Sequence, residues 1–337
     1  MQRPRRRPRR RYRYKTKKPL GWKGTALLIA LVLMAGYGAF FLIRYALSAR
    51  ASRQTEQSLR SAYYAVTEAP PPETPAVTSA PPTETAAALA LPEEPETPAQ
   101  TAAPATAAPP MRAFGASEKL KAQAYADNPQ KQIASRFQTL RRTSPDTVGW
   151  LNVPGMLDEA VVQRDNVFFL DHDARGRSNI NGALFLDAAI SLDTRPYTLL
   201  IYGHNMRSGD KFGSLRKFEN EGFYWQTPFI TFDSLYEEGK YVVFAAGQIS
   251  MDPGDARYVD FFAFSTLDVQ ERLQMIRQLS ACSVYASPVD VVVDDQLLVL
   301  VTCTDQDPVR RVVAARRVRE GESEETLRQQ VLSARKK

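Results

Sequence analysis

The part of the chain that follows residue 117 is predicted to be an all-β dominated domain of the α+β class, built as a sandwich or a barrel. Short runs rich in β-branched and aromatic residues recur there, separated by Gly, Asn, Asp and Pro. A single strong amphipathic helical pattern interrupts them. The predicted strands are 149–153, 160–163, 183–187, 197–202, 241–249, 289–293, 297–303 and 311–318.

Helices are predicted at both ends of this β-rich part and once within it. Residues 118–125 and 129–142 have helical patterns, the second with Ile133, Phe137 and Leu140 on one face. The strong inserted helix covers 268–281, and 214–218 is predicted to be a shorter helical turn. A charged C-terminal extension, 320–337, is predicted to be a helix outside the β-rich domain, 112–319.

The N-terminal part of the chain is basic and then apolar. Residues 1–23 contain twelve Lys or Arg and no acid, so the rest of the chain carries a net charge of −5, the difference between +7 and +12. A nucleic-acid-binding domain would spread its basic residues over a folded surface, so this distribution argues against nucleic acid as a partner. The uncharged run 24–43 is long enough to cross a bilayer as a helix.

The charge difference across the apolar run predicts the orientation of the chain. Positive residues stay on the cytoplasmic side, so residues 1–23 form a cytoplasmic tail and everything after residue 43 lies outside the cell. The prediction is a single-pass plasma-membrane protein with an extracellular domain. A cleaved signal peptide is the alternative, although its apolar core is usually shorter.

Two segments join the predicted anchor to the folded domain. Residues 44–65 are a juxtamembrane segment, for which a short polar helix is predicted over 46–65. Residues 66–111 are rich in Pro, Ala, Thr and Glu, a composition that is too polar to form a core and predicts a disordered tether. At full polyproline extension, that tether would reach about 140 Å.

Three residues at strand ends are candidates for chemistry. His204 ends the run 198–204, Cys303 ends the run 297–303, and Arg311 begins the next predicted strand. A thiolate is a strong nucleophile when a cation or imidazolium is near. A His can then protonate a leaving amine, and an Arg can stabilise charge on a carbonyl oxygen. Together they predict a cysteine nucleophile site.

Each candidate also has a structural interpretation. Cys303 could be a small buried hydrophobe or pair with Cys282, His204 could be a turn residue, and Arg311 could be one strand-edge charge among several. The two histidines and two cysteines have no metal-ligand spacing, so no metal site is predicted.

The residues around these candidates resemble the sortase family, and within it class B. The family motif before the nucleophile is Thr-Leu-x-Thr-Cys, and here residues 300–303 are Leu-Val-Thr-Cys. The His segment is Ile-Tyr-Gly-His-Asn-Met at 201–206, followed by Phe-Gly-Ser-Leu at 212–215. Further matching blocks are Val-Gly-Trp-Leu at 148–151, Val-Val-Gln-Arg-Asp-Asn at 161–166, Gly-Ala-Leu-Phe-Leu-Asp at 182–187 and Arg-Val-Val at 311–313.

The resemblance implies a closed eight-stranded β-barrel with N-terminal helices and one long inserted helix. It also implies a Gram-positive cell-wall-anchoring transpeptidase that needs no cofactor. In that chemistry, Cys303 attacks a C-terminal sorting pentapeptide of a secreted protein and forms a thioacyl enzyme. His204 is the general acid and base, and Arg311 holds the substrate carbonyl. An amine of a wall precursor or a pilin then resolves the thioester.

Weaker site predictions surround these three residues. Thr302 and Thr304 flank the nucleophile, and Tyr202 and Asn205 flank the His, so all four are predicted to contact substrate. His172 is interpreted as structural. The neighbour of Arg311, Arg310, is the rival for its role, because adjacent strand residues point to opposite faces and only one of them enters the site.

Two other functions stay open at the level of sequence. A pilin-polymerising sortase would use the same residues with a Lys acceptor. A catalytically silent surface-binding module would keep the fold without the reaction. Val301 stands where the family usually has Leu or Ser, which leaves the preferred sorting signal open.

Overall fold

The computed structural model describes residues 21–67, 118–303 and 308–334. Most of the basic tail, most of the predicted tether, Thr304 and the last three residues lie outside the described residues.

Eight strands close into a barrel, which confirms the predicted fold class. Their order around the barrel is β1-β2-β3-β4-β7-β8-β6-β5. Neighbours are antiparallel except for β2 with β3 and β4 with β7, which are parallel. The strands are β1 Thr147–Val153, β2 Leu157–Val162, β3 Leu184–Leu186, β4 Thr198–His204, β5 Phe229–Ser234, β6 Lys240–Ser250, β7 Leu297–Cys303 and β8 Val309–Arg317.

The described helices differ widely in length. The α-helices are α1 Trp22–Thr67, α2 Ser135–Arg141, α3 Glu221–Gln226, α4 Val269–Ala281 and α5 Glu324–Ala334. Three 3₁₀ segments cover Phe168–Leu170, Phe212–Glu219 and Phe261–Ser265. Helix α4 is the predicted inserted helix, and Asp268 caps it by accepting hydrogen bonds from the N–H groups of Gln270 and Glu271.

Two local predictions were wrong, and one strand was missed. Residues 118–125 are not helical, because their backbone bridges Asp268 through Lys119 and Arg195 through Gln123. Residues 289–293 form no strand, since the carbonyl of Asp290 accepts from the buried Arg316 instead of from a neighbouring strand. The missed strand is β5, although Ile230 and Phe232 alternate with the less buried Thr231 and Asp233.

Helix α1 is continuous from the apolar run into the juxtamembrane segment. The apolar half exposes its large side chains, with Leu33 at 68% and Phe41 at 59%. By length and composition this helix could cross a membrane, which makes it compatible with a single-pass anchor. Its C-terminal half packs on the barrel, where Leu59 and Tyr63 are buried with Phe137 and Trp150.

Helix α5 also packs on the barrel. Leu327 and Val331 are buried in the main hydrophobic core, and the amide of Gln330 donates to the carbonyl of Pro288. The C-terminal segment is therefore helical, with an apolar stripe that covers part of the core.

Candidate active site

The ends of β4 and β7 bring two of the predicted residues together. These strands run parallel, with Tyr202 paired to Val301, Gly203 to Thr302, and His204 to Cys303. Both strands are apolar and buried up to this point, and the polar residues come where the strands end. The backbones of His204 and Cys303 therefore lie side by side, although 99 residues separate them in sequence.

A cleft of about 690 Å³ opens beside these strand ends. Of the predicted site residues, His204, Tyr202, Asn205 and Thr302 line it. Arg310 lines it too. The rest of its wall is largely apolar and comes from several segments of the chain: Leu170, Ile180, Phe185, Met206, Met251 and Phe261, with the polar Asn166 and Asp171.

The imidazole of His204 is held in one orientation. Its Nε2 lies 2.5 Å from the carbonyl oxygen of Leu170, and because a carbonyl only accepts, Nε2 carries a proton. In the neutral ring, Nδ1 is then the nitrogen without a proton. The fixed hydrogen bond thus leaves Nδ1 for exchange of a proton with a reacting group.

A glycine makes room for this ring. Gly182 has φ +60, and a Cβ built there would lie 2.9 Å from Cδ2 of His204 and 2.5 Å from the carbonyl oxygen of Phe169. Both the backbone conformation and the close approach require glycine at this position. The block 182–187 is one of those that carry the resemblance to class B sortases, but nothing in its sequence predicted that Gly182 contacts His204.

The two adjacent arginines point to different surroundings. The guanidinium of Arg311 donates from Nε to Oε1 of Glu219 at 2.7 Å, and its backbone N–H donates to Oγ1 of Thr302. Arg310, in contrast, lines the cleft with His204. This is the alternation expected within a strand, and the assignment of the carbonyl-holding role to Arg311 stays a prediction.

The pairing register of β7 and β8 also distinguishes the positions of Arg310 and Arg311. On β7 and β8, Leu300 is paired with Val313, and Val301 with Val312. Continuing this antiparallel register puts Arg311 opposite Thr302 and Arg310 opposite Cys303. The backbones of His204, Cys303 and Arg310 therefore lie in one row across β4, β7 and β8.

The flanking residues have roles in shaping the cleft. The hydroxyl of Tyr202 donates to Oδ2 of Asp187 at 2.9 Å, and its ring stacks with Phe261 at a centroid separation of 6.3 Å. Asn205 forms an isolated backbone bridge with Lys211, which closes the loop after His204. Contact of either residue with a substrate stays a prediction.

The second histidine and the second cysteine are held by local contacts. The ring of His172 stacks on Phe168 with centroids 4.0 Å apart, and its Nδ1 lies 2.6 Å from Oδ1 of Asp171. Cys282 is a free thiol that donates to the carbonyl of Leu279, and burial raises its pKa to about 11. A buried protonated thiol is a poor nucleophile.

Sequence reasoning missed most of the cleft wall. Leu170 acts through a backbone carbonyl, which has no residue-type signature, and Met251 and Phe261 come from a loop that only the fold brings near His204. Within the described residues, no group of three or more His, Cys, Asp or Glu is arranged to hold a metal ion.

Known proteins share this fold and its sequence pattern. The chain is 28% identical over 187 residues to a sortase B of Listeria monocytogenes, covering 55% of this chain and 74% of the relative. It is 27% identical over 207 residues to a sortase B of Staphylococcus aureus, covering 60% of this chain and 82% of the relative. No family profile matches the chain.

Solved structures agree with these relatives. The structure of a Staphylococcus aureus sortase B–substrate complex superposes with a TM-score of 0.51 at 25% identity, covering 57% of this chain and 88% of that one. A second Staphylococcus aureus sortase B structure gives a TM-score of 0.51 at 26% identity, covering 56% of this chain and 90% of that one. The closed barrel with its helices therefore matches the sortase fold.

These relationships support a cysteine transpeptidase in general terms. The motifs, the closed barrel and the relatives agree, and together they support a class B sortase.

Proposed function

We propose that this protein is a membrane-anchored transpeptidase that cleaves a C-terminal sorting signal of secreted proteins and transfers them to an amine of the cell wall. The observation that carries the proposal is the pairing of His204 with Cys303 at the edge of an open cleft. A peptide in that cleft would lie beside both residues.

The first half of the reaction forms a thioester. The thiolate of Cys303 attacks the scissile carbonyl carbon, and the thiol proton passes to Nδ1 of His204. The tetrahedral intermediate then collapses, the C–N bond breaks, and His204 returns the proton to the leaving amine. The hydrogen bond from Nε2 to Leu170 keeps Nδ1 available for both transfers.

The second half releases the product. An acceptor amine attacks the thioester carbonyl and gives a proton to His204, a new amide forms, and the sulfur leaves as a thiolate. The wall-precursor amine is the proposed acceptor. A pilin Lys would follow the same steps, and no feature of the described cleft favours it.

Charge on the carbonyl oxygen needs a donor in both halves. Geometry favours Arg310, which lines the cleft, over Arg311, whose guanidinium is paired with Glu219. A fixed guanidinium donor facing the developing oxyanion would stabilise it without reorganisation. Arg311 would then act indirectly, by anchoring the end of β8 through Glu219 and Thr302.

The relatives support the choice of partners. One sortase B structure contains a substrate and another contains a triglycine peptide. By analogy, this cleft is proposed to accept a sorting peptide, and a short amine-terminated peptide is proposed as acceptor. The exposed apolar half of α1 supports attachment to the plasma membrane, with the barrel on the outer side as the charge distribution predicts.

The test uses the full chain in detergent with a panel of fluorogenic sorting pentapeptides and three acceptors: oligoglycine, diaminopimelate and a Lys peptide. Cys303→Ala and His204→Ala should each lower the rate of peptide cleavage by at least about 10³-fold. Arg310→Ala should lower it about 10²-fold or more, whereas Arg311→Ala should lower it less.

The Arg pair also serves as its own control, because the two variants remove identical side chains from neighbouring positions. A larger loss in Arg311→Ala would restore the sequence-based assignment. Absence of turnover across the whole panel, together with an unreactive Cys303 in the folded protein, would overturn the enzyme and leave a surface-binding module.

A further inference from the structure

The C-terminal half of α1 contacts the two chain segments that hold His204. One segment, 179–182, ends with the glycine that packs against the imidazole. The other, 205–211, directly follows His204 and is closed by the bridge between Asn205 and Lys211. The C-terminal half of α1 therefore contacts both segments that flank His204, 179–182 and 205–211.

The first contact is a set of polar bonds to 179–182. The side-chain amide of Asn179 donates to the carbonyl of Ser48 at 3.1 Å, and that of Asn181 donates to Oγ of Ser52 at 3.4 Å. Asn179, Asn181 and Ser52 are all buried. Since unpaired buried polar groups are costly, these bonds fix the segment relative to the helix.

The second contact is an ion cluster around a buried ammonium group. The ammonium of Lys211 bonds to carboxylates of Glu56 from α1 and Glu159 from β2, the latter at 2.6 Å. Lys211 is 4% exposed. Removing one partner of such a cluster leaves a charge without full compensation.

The backbone of Lys211, which this cluster holds by its side chain, is strained. Its φ is +51 and its ψ is −140, a backbone conformation that residues other than glycine rarely adopt. Strained residues persist where the surroundings over-determine them, and they concentrate at functional sites. Glu56 and Glu159 provide that constraint next to the loop that begins at His204.

We propose that the juxtamembrane half of α1 is a positioning element of the active site, with Glu56 and Ser52 as positioning residues that hold His204 in its Nε2-protonated orientation. The working unit is then the barrel together with the anchor helix, not the barrel at the end of a tether. This inference deepens the proposed function and rests on it only for its kinetic consequence.

The chain's two histidines allow a direct test. Full-length protein labelled with ¹⁵N-histidine in detergent gives signals from His204 and His172 alone. The wild type should show His204 as one tautomer, protonated on Nε2. Glu56→Ala should convert His204 to a mixture of tautomers and leave His172 unchanged.

Matched variants separate positioning from stability. Gln57→Ala truncates an exposed neighbour on the same helix and should change neither histidine. Glu56→Gln keeps an acceptor oxygen for Lys211 and should restore the wild-type spectrum. If Glu56→Ala does not fold, Ser52→Ala, which removes only the hydroxyl facing Asn181, should produce the same change in His204.

Turnover supplies the second readout. Glu56→Ala should lower kcat about tenfold with KM within about twofold, since displacement of a reacting group by a fraction of an ångström affects the chemical step. An unchanged His204 spectrum in both Glu56→Ala and Ser52→Ala would overturn the inference. If the wild type has no peptidase activity but the variants still change the His204 spectrum, the proposed function fails and the positioning role of α1 is upheld.

Discussion

The two halves of α1 differ in polarity and in burial: the apolar half is exposed, and the polar half is partly buried. The half that contains Leu33 and Phe41 is apolar and exposed, while the half from Ser48 to Val66 is polar and contains buried Ser52, Thr55, Leu59 and Tyr63. A continuous exposed apolar surface of this length is typical of a helix whose surroundings are lipid and not water. Polar side chains are buried when specific partners receive them.

The partners of the polar half are spread over the barrel. The hydroxyl of Tyr63 donates to Oδ2 of Asp233 at 2.5 Å, and its ring stacks on Trp150 at a centroid separation of 4.3 Å. Arg60 pairs with Asp158 at 2.7 Å. The two halves of this helix therefore have different surroundings: the first half is compatible with a membrane span, and the second half packs on the barrel.

The largest effect should come from the ion cluster. Lys211→Ala removes the buried cation from between the partly buried carboxylates of Glu56 and Glu159, so it should lower the free energy of unfolding of the barrel by about 3–5 kcal/mol. Denaturant unfolding in detergent measures it. A loss below about 1 kcal/mol would mean that the helix is not docked through this cluster in solution.

The next effect concerns apolar packing. Leu59→Ala creates a cavity between α1, Phe137 and Trp150, and should lower the barrel's free energy of unfolding by about 2–5 kcal/mol. The same truncation in the other half, Leu33→Ala, should leave it unchanged, because that side chain touches no part of the barrel core. Equal effects of the two variants would remove the distinction between the halves.

The smallest effect depends on pH. Burial raises the pKa of Glu159 to about 7, against the opposing attraction of Lys211, while in the unfolded chain the group titrates near 4.5. Between these values the folded protein binds more protons, so the contribution of Glu159 to stability falls as pH rises from about 4.5 to 7.

Glu159→Gln removes this titration. The difference in free energy of unfolding between wild type and variant should therefore decrease as pH rises from about 5 to about 7 and become constant above about pH 8, with a slope of at most about 1.4 kcal/mol per pH unit. A difference that is independent of pH would show that Glu159 is charged throughout this range. Lys211 adds no slope there, because its carboxylate partners outweigh burial and raise its pKa.

Most of the barrel was predictable because its strands are apolar and bounded by turn residues. Strands β4 and β7 were predicted nearly to the residue for this reason. The segment 118–125 and the strand β5 were not, since an extended segment bonded to loops and a short strand have weak local patterns.

The candidate site was predictable to the extent that residue type carries the chemistry. His204 and Cys303 are rare residues at the ends of apolar strands, and their backbones are paired. The choice between Arg310 and Arg311 depends on which face of β8 meets the cleft, and neither residue's type decides that.

The sequence by itself determined a β-rich sandwich or barrel, the apolar run of α1 and the residue types that could do the chemistry, because these follow from local periodicity and composition. The closed eight-stranded barrel was implied by the family resemblance. Only the tertiary structure decided that Leu170 orients His204, that Arg310 lines the cleft and that α1 contacts the segments 179–182 and 205–211. Those features are contacts between segments far apart in the chain, and their energies depend on shape and burial that no local pattern encodes.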